Sequence, residues 1–198
     1  MTKYYSDWYL NRSTNERWAY IDGLFTESEC KSIIDTFKNS TEEGTIGQDK
    51  STNNNIRKSN VHFINSNDED NYWIFGKVSE GIMHINKNYF NFDIEKIESL
   101  QFSEYSSSYK GFYNKHIDTQ YTNPGMNTRK LSFSILLSKE EDFAGGELLL
   151  HLGNNPDSVL STQGKMTMFP SYTLHEVTPV TSGTRYSLVG WACGPNFK

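Results

Sequence analysis

Along the second half of the chain, apolar and polar residues trade places every one or two positions, in short runs closed by Gly, Pro, Asn and Asp. The runs are KIESLQFSEY from 96, GFYNKHID, RKLSFSILLS from 129, GGELLLHL, KMTMF, LHEVTPV and TRYSLVGWA. A period near two marks strands. The first half keeps a different rhythm. A short strand is predicted in WAYIDGLF (18–25). After it, Thr26 and Glu29 stand at capping-box spacing, and Cys30, Ile33, Ile34 and Phe37 recur at i, i+3, i+4 and i+7. IRKSNVHFI (56–64) reads as a strand. Ile74, Val78, Ile82, Ile85 and Tyr89 then form the apolar stripe of a second helix that leaves His84 in solvent. Helices followed by strands predict an α+β fold, a β-sandwich or jelly roll with the helices packed on one sheet.

The run at 129–138 indicates what that sheet faces. Alternation puts Leu131, Phe133, Ile135 and Leu137 on one side and Ser132, Ser134 and Leu136 on the other. The apolar side suits the helices. Small hydroxyls on the other side suit a polar cavity between two sheets, because a packed sandwich core takes bulky aliphatics there; a strand with a plain solvent face would look the same. Between 39 and 55, NSTEEGTIGQDKSTNNN is too polar to pack and longer than most connections. It reads as a mobile loop and a candidate lid, and its composition fits an ordinary surface loop equally.

A chain of 198 residues suits one domain, 1–198, with 1–95 supplying helical support and the loop and 96–194 the jelly-roll core. Net charge is -5 and Lys and Arg form no block, so neither a nucleic-acid nor a membrane partner is expected. Cys30 and Cys193 are the only cysteines, which implies neither a disulfide framework nor a zinc ribbon. The first residues contain no leader-like apolar core, and no 18-residue apolar run occurs, so a soluble, cytoplasmic protein is expected.

YNKHIDTQ places His116 and Asp118 two apart, on one side of a strand, where both can reach one ion. Chance supplies roughly 0.6 such His-x-acid pairs in a chain of this composition, so the pair alone proves nothing. His175 opens a later strand and can supply a third ligand. Two imidazoles and one carboxylate, with the rest of the sphere open, describe the facial triad of non-haem Fe(II) oxygenases. His62 and His151 read as ordinary partly buried or surface imidazoles. Arg185 lies ten residues after His175, across the turn Thr181-Ser182-Gly183. If those three residues form a hairpin loop, Arg185 pairs opposite Pro179 and shares the face of His175, roughly 13 Å away along the sheet. A guanidinium reaching back could grip the far carboxylate of a five-carbon diacid chelating the metal; a two-residue loop would reverse the parity.

Taken together, QFSEYSSSYKGFYNKHID, RKLSFSILLS, GGELLL and GKMTMFPSYTLHEVTPVTSGTRYSLVGWACGP resemble the 2-oxoglutarate/Fe(II)-dependent dioxygenases, among them the prolyl-4-hydroxylase-like and PKHD-type hydroxylases. The resemblance covers residues 96–194 well and the N-terminal third more loosely. It implies a double-stranded β-helix, with His116, Asp118 and His175 as iron ligands and Arg185 on the 5-carboxylate of 2-oxoglutarate. Tyr105 would line the cosubstrate pocket, and Trp191 would form an aromatic wall. Arg129 falls where some prolyl hydroxylases use an arginine near the substrate. Leu136 stands where prolyl 4-hydroxylases commonly carry a tyrosine that supports the 5-carboxylate, so Ser132, Ser134 or Thr184 would have to supply that hydrogen bond. Serines there look closer to the PKHD-type members.

The implied activity is hydroxylation of a C–H bond coupled to oxidative decarboxylation of 2-oxoglutarate by O2, giving succinate and CO2, with ascorbate as a candidate reductant. Halogenases of this chemistry lack the carboxylate ligand, so Asp118 favours hydroxylation. The expected substrate is a prolyl residue in a peptide or protein, with Arg57 and Tyr121 as candidate contacts. A free amino acid, a small metabolite or a nucleobase is the alternative within this chemistry. A non-catalytic jelly-roll module binding a metal or ligand is the alternative outside it.

Overall fold

The computed structural model describes residues 16–45, 53–119, 127–159 and 162–197. The first helix, α1 (Glu27–Phe37), starts where the sequence signals it: Glu29 N–H donates to Thr26 Oγ1 at 3.3 Å and Thr26 N–H donates to Glu29 Oε2 at 2.8 Å, a reciprocal capping box. The same Glu29 carboxylate accepts from Lys77 at 2.7 Å, which ties α1 to α2 (Tyr72–Ile85). Beyond Ile85 the chain widens into a π turn, Asn86–Phe90. The extra residue in that turn shifts the stripe by one position, so Tyr89, expected to be buried, is exposed and Phe90 takes its place in the core. His84 is exposed, as its place off the stripe predicts.

Thirteen strands are described: β1 (Ala19–Ile21), β2 (Glu42–Glu43), β3 (Arg57–Lys58), β4 (Asn60–Ile64), β5 (Lys96–Ser106), β6 (Phe112–His116), β7 (Thr128–Leu136), β8 (Phe143–Gly145), β9 (Leu148–Leu150), β10 (Asp157–Val159), β11 (Met166–Pro170), β12 (His175–Val177) and β13 (Val180–Gly194). They form two antiparallel sheets. One runs β1-β11-β7-β13-β5-β4-β2, with β8 added against β13; the other runs β10-β9-β12-β6-β3. Strands adjacent in space but distant in sequence, with helices on one face only, make the α+β double-stranded β-helix that the strand pattern and the resemblance lead to.

The two faces of the larger sheet differ in chemistry. Leu131, Phe133 and Ile135 of β7 pack with Leu100 and Phe102 of β5, Leu188 of β13, and the apolar stripes of α1 and α2 in one continuous core. The opposite face, turned toward the smaller sheet, carries Gln101, Ser103, Ser132, Thr167, Arg185 and Ser187, all buried. That is the polar cavity predicted from the serines of 129–138. Such an interior is costly unless its groups are met, so it marks a binding site rather than a packing solution. Among the described residues no helix is long and apolar enough to cross a membrane.

Candidate metal centre and cosubstrate cavity

β6 and β12 pair so that His116 lies opposite His175. Asp118 follows the end of β6, where its own N–H and that of Thr119 both donate to the Ser171 carbonyl, at 2.9 and 3.0 Å. This turns the carboxylate back onto the imidazoles: Oδ1 is 3.6 Å from His116 Nε2 and Oδ2 is 3.4 Å from His175 Nε2. The three ligand atoms lie within 4.8 Å of one another, the one group of its kind among the described residues. Both rings are fixed from behind. His116 Nδ1 is 2.8 Å from the Asn114 carbonyl and His175 Nδ1 is 2.9 Å from the Thr173 carbonyl. A carbonyl only accepts, so each Nδ1 carries the hydrogen and each Nε2 keeps its lone pair for a metal.

Electrostatics agree with that assignment. Burial first, and then neighbouring His175, push the His116 pKa down to about 4, so the ring is neutral at ordinary pH. Burial works to raise the Asp118 carboxyl, but the imidazoles of His175 and His116 outweigh it and hold the pKa below the usual carboxylate value. Phe169 flanks His175 at 4.7 Å between ring centroids, and Tyr113 stacks on His116 at 3.6 Å. Two imidazoles and one carboxylate, with no fourth ligand in the group, fit an open Fe(II) site and do not fit a closed structural zinc site.

The cavity beside this centre has a volume of about 260 Å³ and is lined by, among others, Gln101, Tyr105, Ser134, Arg185, Ser187 and Trp191. That is near the lower end for small-molecule pockets, roughly 300–1,000 Å³. Arg185 is 2% exposed. Its Nη1 donates to Ser187 Oγ at 2.9 Å, its guanidinium carbon lies 5.8 Å from the Tyr105 ring centroid, and no carboxylate among the described residues pairs with it. Burial lowers its pKa, because the charge is held away from water without a counter-ion.

The route by which Arg185 reaches the cavity differs from the hairpin expectation. β13 starts at Val180 and runs unbroken through Arg185 in the larger sheet, while β12 belongs to the smaller one. Thr181-Ser182-Gly183 is therefore strand rather than turn, with Val180, Ser182 and Gly183 paired to β8. Arg185 pairs with Tyr105 instead of Pro179 and lines the same cavity as His116, Asp118 and His175. The chain changes sheets at Thr178 and Pro179, a move that a hairpin register cannot express.

The other site expectations divide. Of the three hydroxyls proposed to replace a tyrosine at Leu136, Ser134 lines the cavity, whereas Ser132 donates to Ser171 Oγ at 2.9 Å. Thr184 lies beside Arg185 on β13 and so points to the opposite face, within 3.5 Å of Ser106 Oγ and outside the cavity. Ser187, two residues past Arg185 on its own face, is the hydroxyl in contact with it. The same alternation could have found it in the sequence. Trp191 is buried in the cavity wall. Arg129 also lines the cavity, but its charge is already met: Nε donates to Glu98 Oε2 at 2.7 Å, Nη2 donates to Oε1 at 2.5 Å, and the guanidinium stacks 3.9 Å over Trp191. It holds the tryptophan ring. Arg57 and Thr45 line the cavity as well.

Tyr121 and residues 46–52 of the expected lid lie outside the described residues. The start of that loop is no free segment: Glu42–Glu43 is β2, paired with β4. His62 stacks on Phe37 at 5.0 Å, and His151 pairs with Glu176 at 2.8 Å, so both have structural partners away from the metal ligands. Cys30 and Cys193 are free and buried.

Residues 100–193 match the 2OG-Fe(II) oxygenase superfamily. Among curated relatives, a PKHD-type hydroxylase of Synechococcus sp. (strain CC9605) is 37% identical over 99 residues, 50% of this chain and 43% of the relative. A PKHD-type hydroxylase of Idiomarina loihiensis is 40% identical over 91 residues, 44% of this chain and 41% of the relative. The aligned region thus spans less than half the length of those relatives. Among solved structures, a Pseudomonas putida prolyl-4-hydroxylase superposes with a TM-score of 0.71 at 18% identity, covering 91% of this chain and 94% of that one. A Trichoplax adhaerens prolyl hydroxylase, solved with a hypoxia inducible factor peptide fragment, gives 0.73 at 20% identity, covering 89% and 83%. Those identities speak for the fold, and the fold agrees with the element order above. Residues 100–193, which contain the His-Asp-His triad and Arg185, are thus similar to the 2OG-Fe(II) oxygenase superfamily, and PKHD-type hydroxylases resemble the chain over that same stretch.

Proposed function

We propose that the protein is an Fe(II)- and 2-oxoglutarate-dependent dioxygenase that hydroxylates a C–H bond, with a prolyl residue of a peptide or protein as substrate. The observation that carries the reading is Arg185: a buried guanidinium with no acidic partner among the described residues, lining the same cavity as a His-Asp-His triad. A charge left bare in a protein interior is tolerated where a ligand meets it, and a dicarboxylate that also binds the metal meets it best.

In this reading His116, Asp118 and His175 hold Fe(II), which when bound supplies the chemistry of dioxygen reduction. Arg185, supported by Ser187, receives the 5-carboxylate of 2-oxoglutarate, with Tyr105 and Ser134 lining its path. The Asn114 and Thr173 carbonyls keep protons on the two Nδ1 atoms and so keep Nε2 available. Trp191, clamped by Arg129, walls the site and excludes water. Protein groups mainly position reactants here, and the positioning supplies the rate. The prolyl assignment is supported by the PKHD-type relatives and by the prolyl hydroxylase fold. A proline-containing peptide library, incubated with the iron-loaded protein, 2-oxoglutarate and oxygen, should yield a product heavier by one oxygen atom together with an equivalent of succinate. Succinate without any hydroxylated peptide would remove the prolyl substrate and leave the oxygenase.

A further inference from the structure

Arg57 is a second buried guanidinium in the cavity, 6% exposed, on β3 at the edge of the smaller sheet and paired with Tyr113. Its posture is built. Nε donates to Ser59 Oγ at 2.6 Å, Nη1 donates to the Thr45 carbonyl at 3.2 Å, and the guanidinium carbon sits 4.8 Å from the centroid of Tyr113, the ring that stacks on His116. Gly44 leaves the room for it: a Cβ there would come within 2.7 Å of Ser59 Oγ and 2.8 Å of Arg57 Nε. After all this, among the described residues Nη2 has no hydrogen-bond partner and no carboxylate pairs with the cation, and Nη2 is buried.

We propose that Arg57 is the anion receptor for the substrate, and that the molecule oxidised carries a carboxylate which docks on Arg57 Nη2. The inference rests on the proposed function, because charge balance enters it. The two charges of 2-oxoglutarate and that of Asp118 cancel Fe(II) and Arg185, and Glu98 cancels Arg129. Among the described residues Arg57 is then the one lining cation left uncompensated, so one further negative charge completes the site. An internal, neutral prolyl peptide would leave that donor unmet. The carboxylate has two sources: the α-carboxylate of a free amino acid, or an acidic side chain beside the hydroxylated residue in a peptide.

The test uses the full chain loaded anaerobically with Fe(II) and saturating 2-oxoglutarate, so that Arg185 is occupied. ¹³C-acetate is titrated as the probe, and its relaxation by the paramagnetic iron is measured. Saturable relaxation is expected in the wild type, with binding weakened roughly 10- to 100-fold in Arg57→Gln and in Gly44→Ala, which crowds the guanidinium out of place. Affinity for 2-oxoglutarate and the melting temperature should be unchanged in Arg57→Gln. In parallel, kcat/KM is compared for L-proline, acetyl-Ala-Pro-Glu-amide and the neutral acetyl-Ala-Pro-Ala-amide. A carboxylate-bearing probe should lead the neutral one by a similar factor in the wild type, with no difference in Arg57→Gln, and which probe leads identifies the source. No saturable acetate effect, the same effect in Arg57→Gln, or preference for the neutral peptide would overturn the proposal. If no prolyl probe is turned over, the acetate titration alone decides. Failure of 2-oxoglutarate to bind the iron-loaded protein would instead sink the oxygenase reading, which is measured separately before acetate is added.

Discussion

Arg185→Met tests the reading of the cavity because it predicts two changes of opposite sign. In the ligand-free protein the guanidinium donates to Ser187 and meets no carboxylate among the described residues, so its charge is a burden on the fold. Methionine has a comparable stem and no charge. Exchanging buried ionic groups for apolar ones of similar volume is often neutral or stabilising by roughly 1–4 kcal/mol. Loss of the hydrogen bond to Ser187 offsets about 1 kcal/mol of that. The free variant should therefore melt at the wild-type temperature or a few degrees higher, at about 2–4 °C per kcal/mol for a chain of this size. Toward 2-oxoglutarate the sign reverses. Removing a bidentate, charge-assisted pair should cost about 2–4 kcal/mol, or roughly 30- to 1,000-fold in affinity. Calorimetric titration and thermal melts, each with and without 2-oxoglutarate, read both effects. At about 100 times the wild-type Kd the ligand should stabilise the wild type by about 2.7 kcal/mol and the variant by less than about 1 kcal/mol. A ligand-free variant destabilised by several kcal/mol would mean that Arg185 serves the fold rather than a cosubstrate, and the reasoning would fail.

Other consequences are simpler to check. Asp118→Ala should abolish hydroxylation and most iron binding, as followed by metal analysis and succinate release; normal turnover would remove Asp118 from the ligand set. In metal-free protein, His116 titrates near 4 when folded and near 6.5 when unfolded, so the unfolded chain binds more protons between those values. Stability should therefore fall as pH drops from about 6.5 to 4, and a urea-midpoint series should show a shallower fall for His116→Asn. Glu98→Gln frees Arg129 from its fork and should loosen the Trp191 ring at a cost of at most ~1 kcal/mol. A red-shifted, more quenchable tryptophan emission would report it, and unchanged emission would contradict the clamp. Burial, and next the charges of Glu29 and Glu98 respectively, raise the Cys30 thiol to about 11 and the Cys193 thiol to about 12. Neither should react with iodoacetamide at pH 8 until the protein is unfolded, which mass spectrometry resolves.

The candidate metal ligands were legible in the sequence because their constraint is local. His116 and Asp118 stand two apart, and the strand after Pro170 brings a third ligand whose neighbourhood the fold guarantees. The serine face of 129–138 was legible for the same reason, since alternation along one strand needs no knowledge of its partner. Arg185 was found by its spacing, but its partner strand was misassigned, because a change of sheet at Thr178 and Pro179 leaves no mark on a period of two. Thr184 follows from the same limit: once Arg185 points inward, its neighbour must point out. Tyr113 was missed because it stands three from His116, which ideal alternation would put on the other face. The irregular pairing of β12 with β6, where His175 meets His116 and Val177 meets Tyr113, breaks that parity. The buried donor of Arg57 depends on Gly44, Thr45, Ser59 and Tyr113 together, contacts that a one-dimensional pattern does not encode.

The central claim is that His116, Asp118 and His175 hold iron beside a 2-oxoglutarate held by Arg185. The most direct measurement is the visible spectrum of the anaerobic protein with one equivalent of Fe(II), before and after 2-oxoglutarate, followed by succinate assay on admission of oxygen. The account predicts a weak charge-transfer band that appears only with 2-oxoglutarate and decays with oxygen as succinate forms. Confirmed iron loading with neither band nor succinate would contradict it.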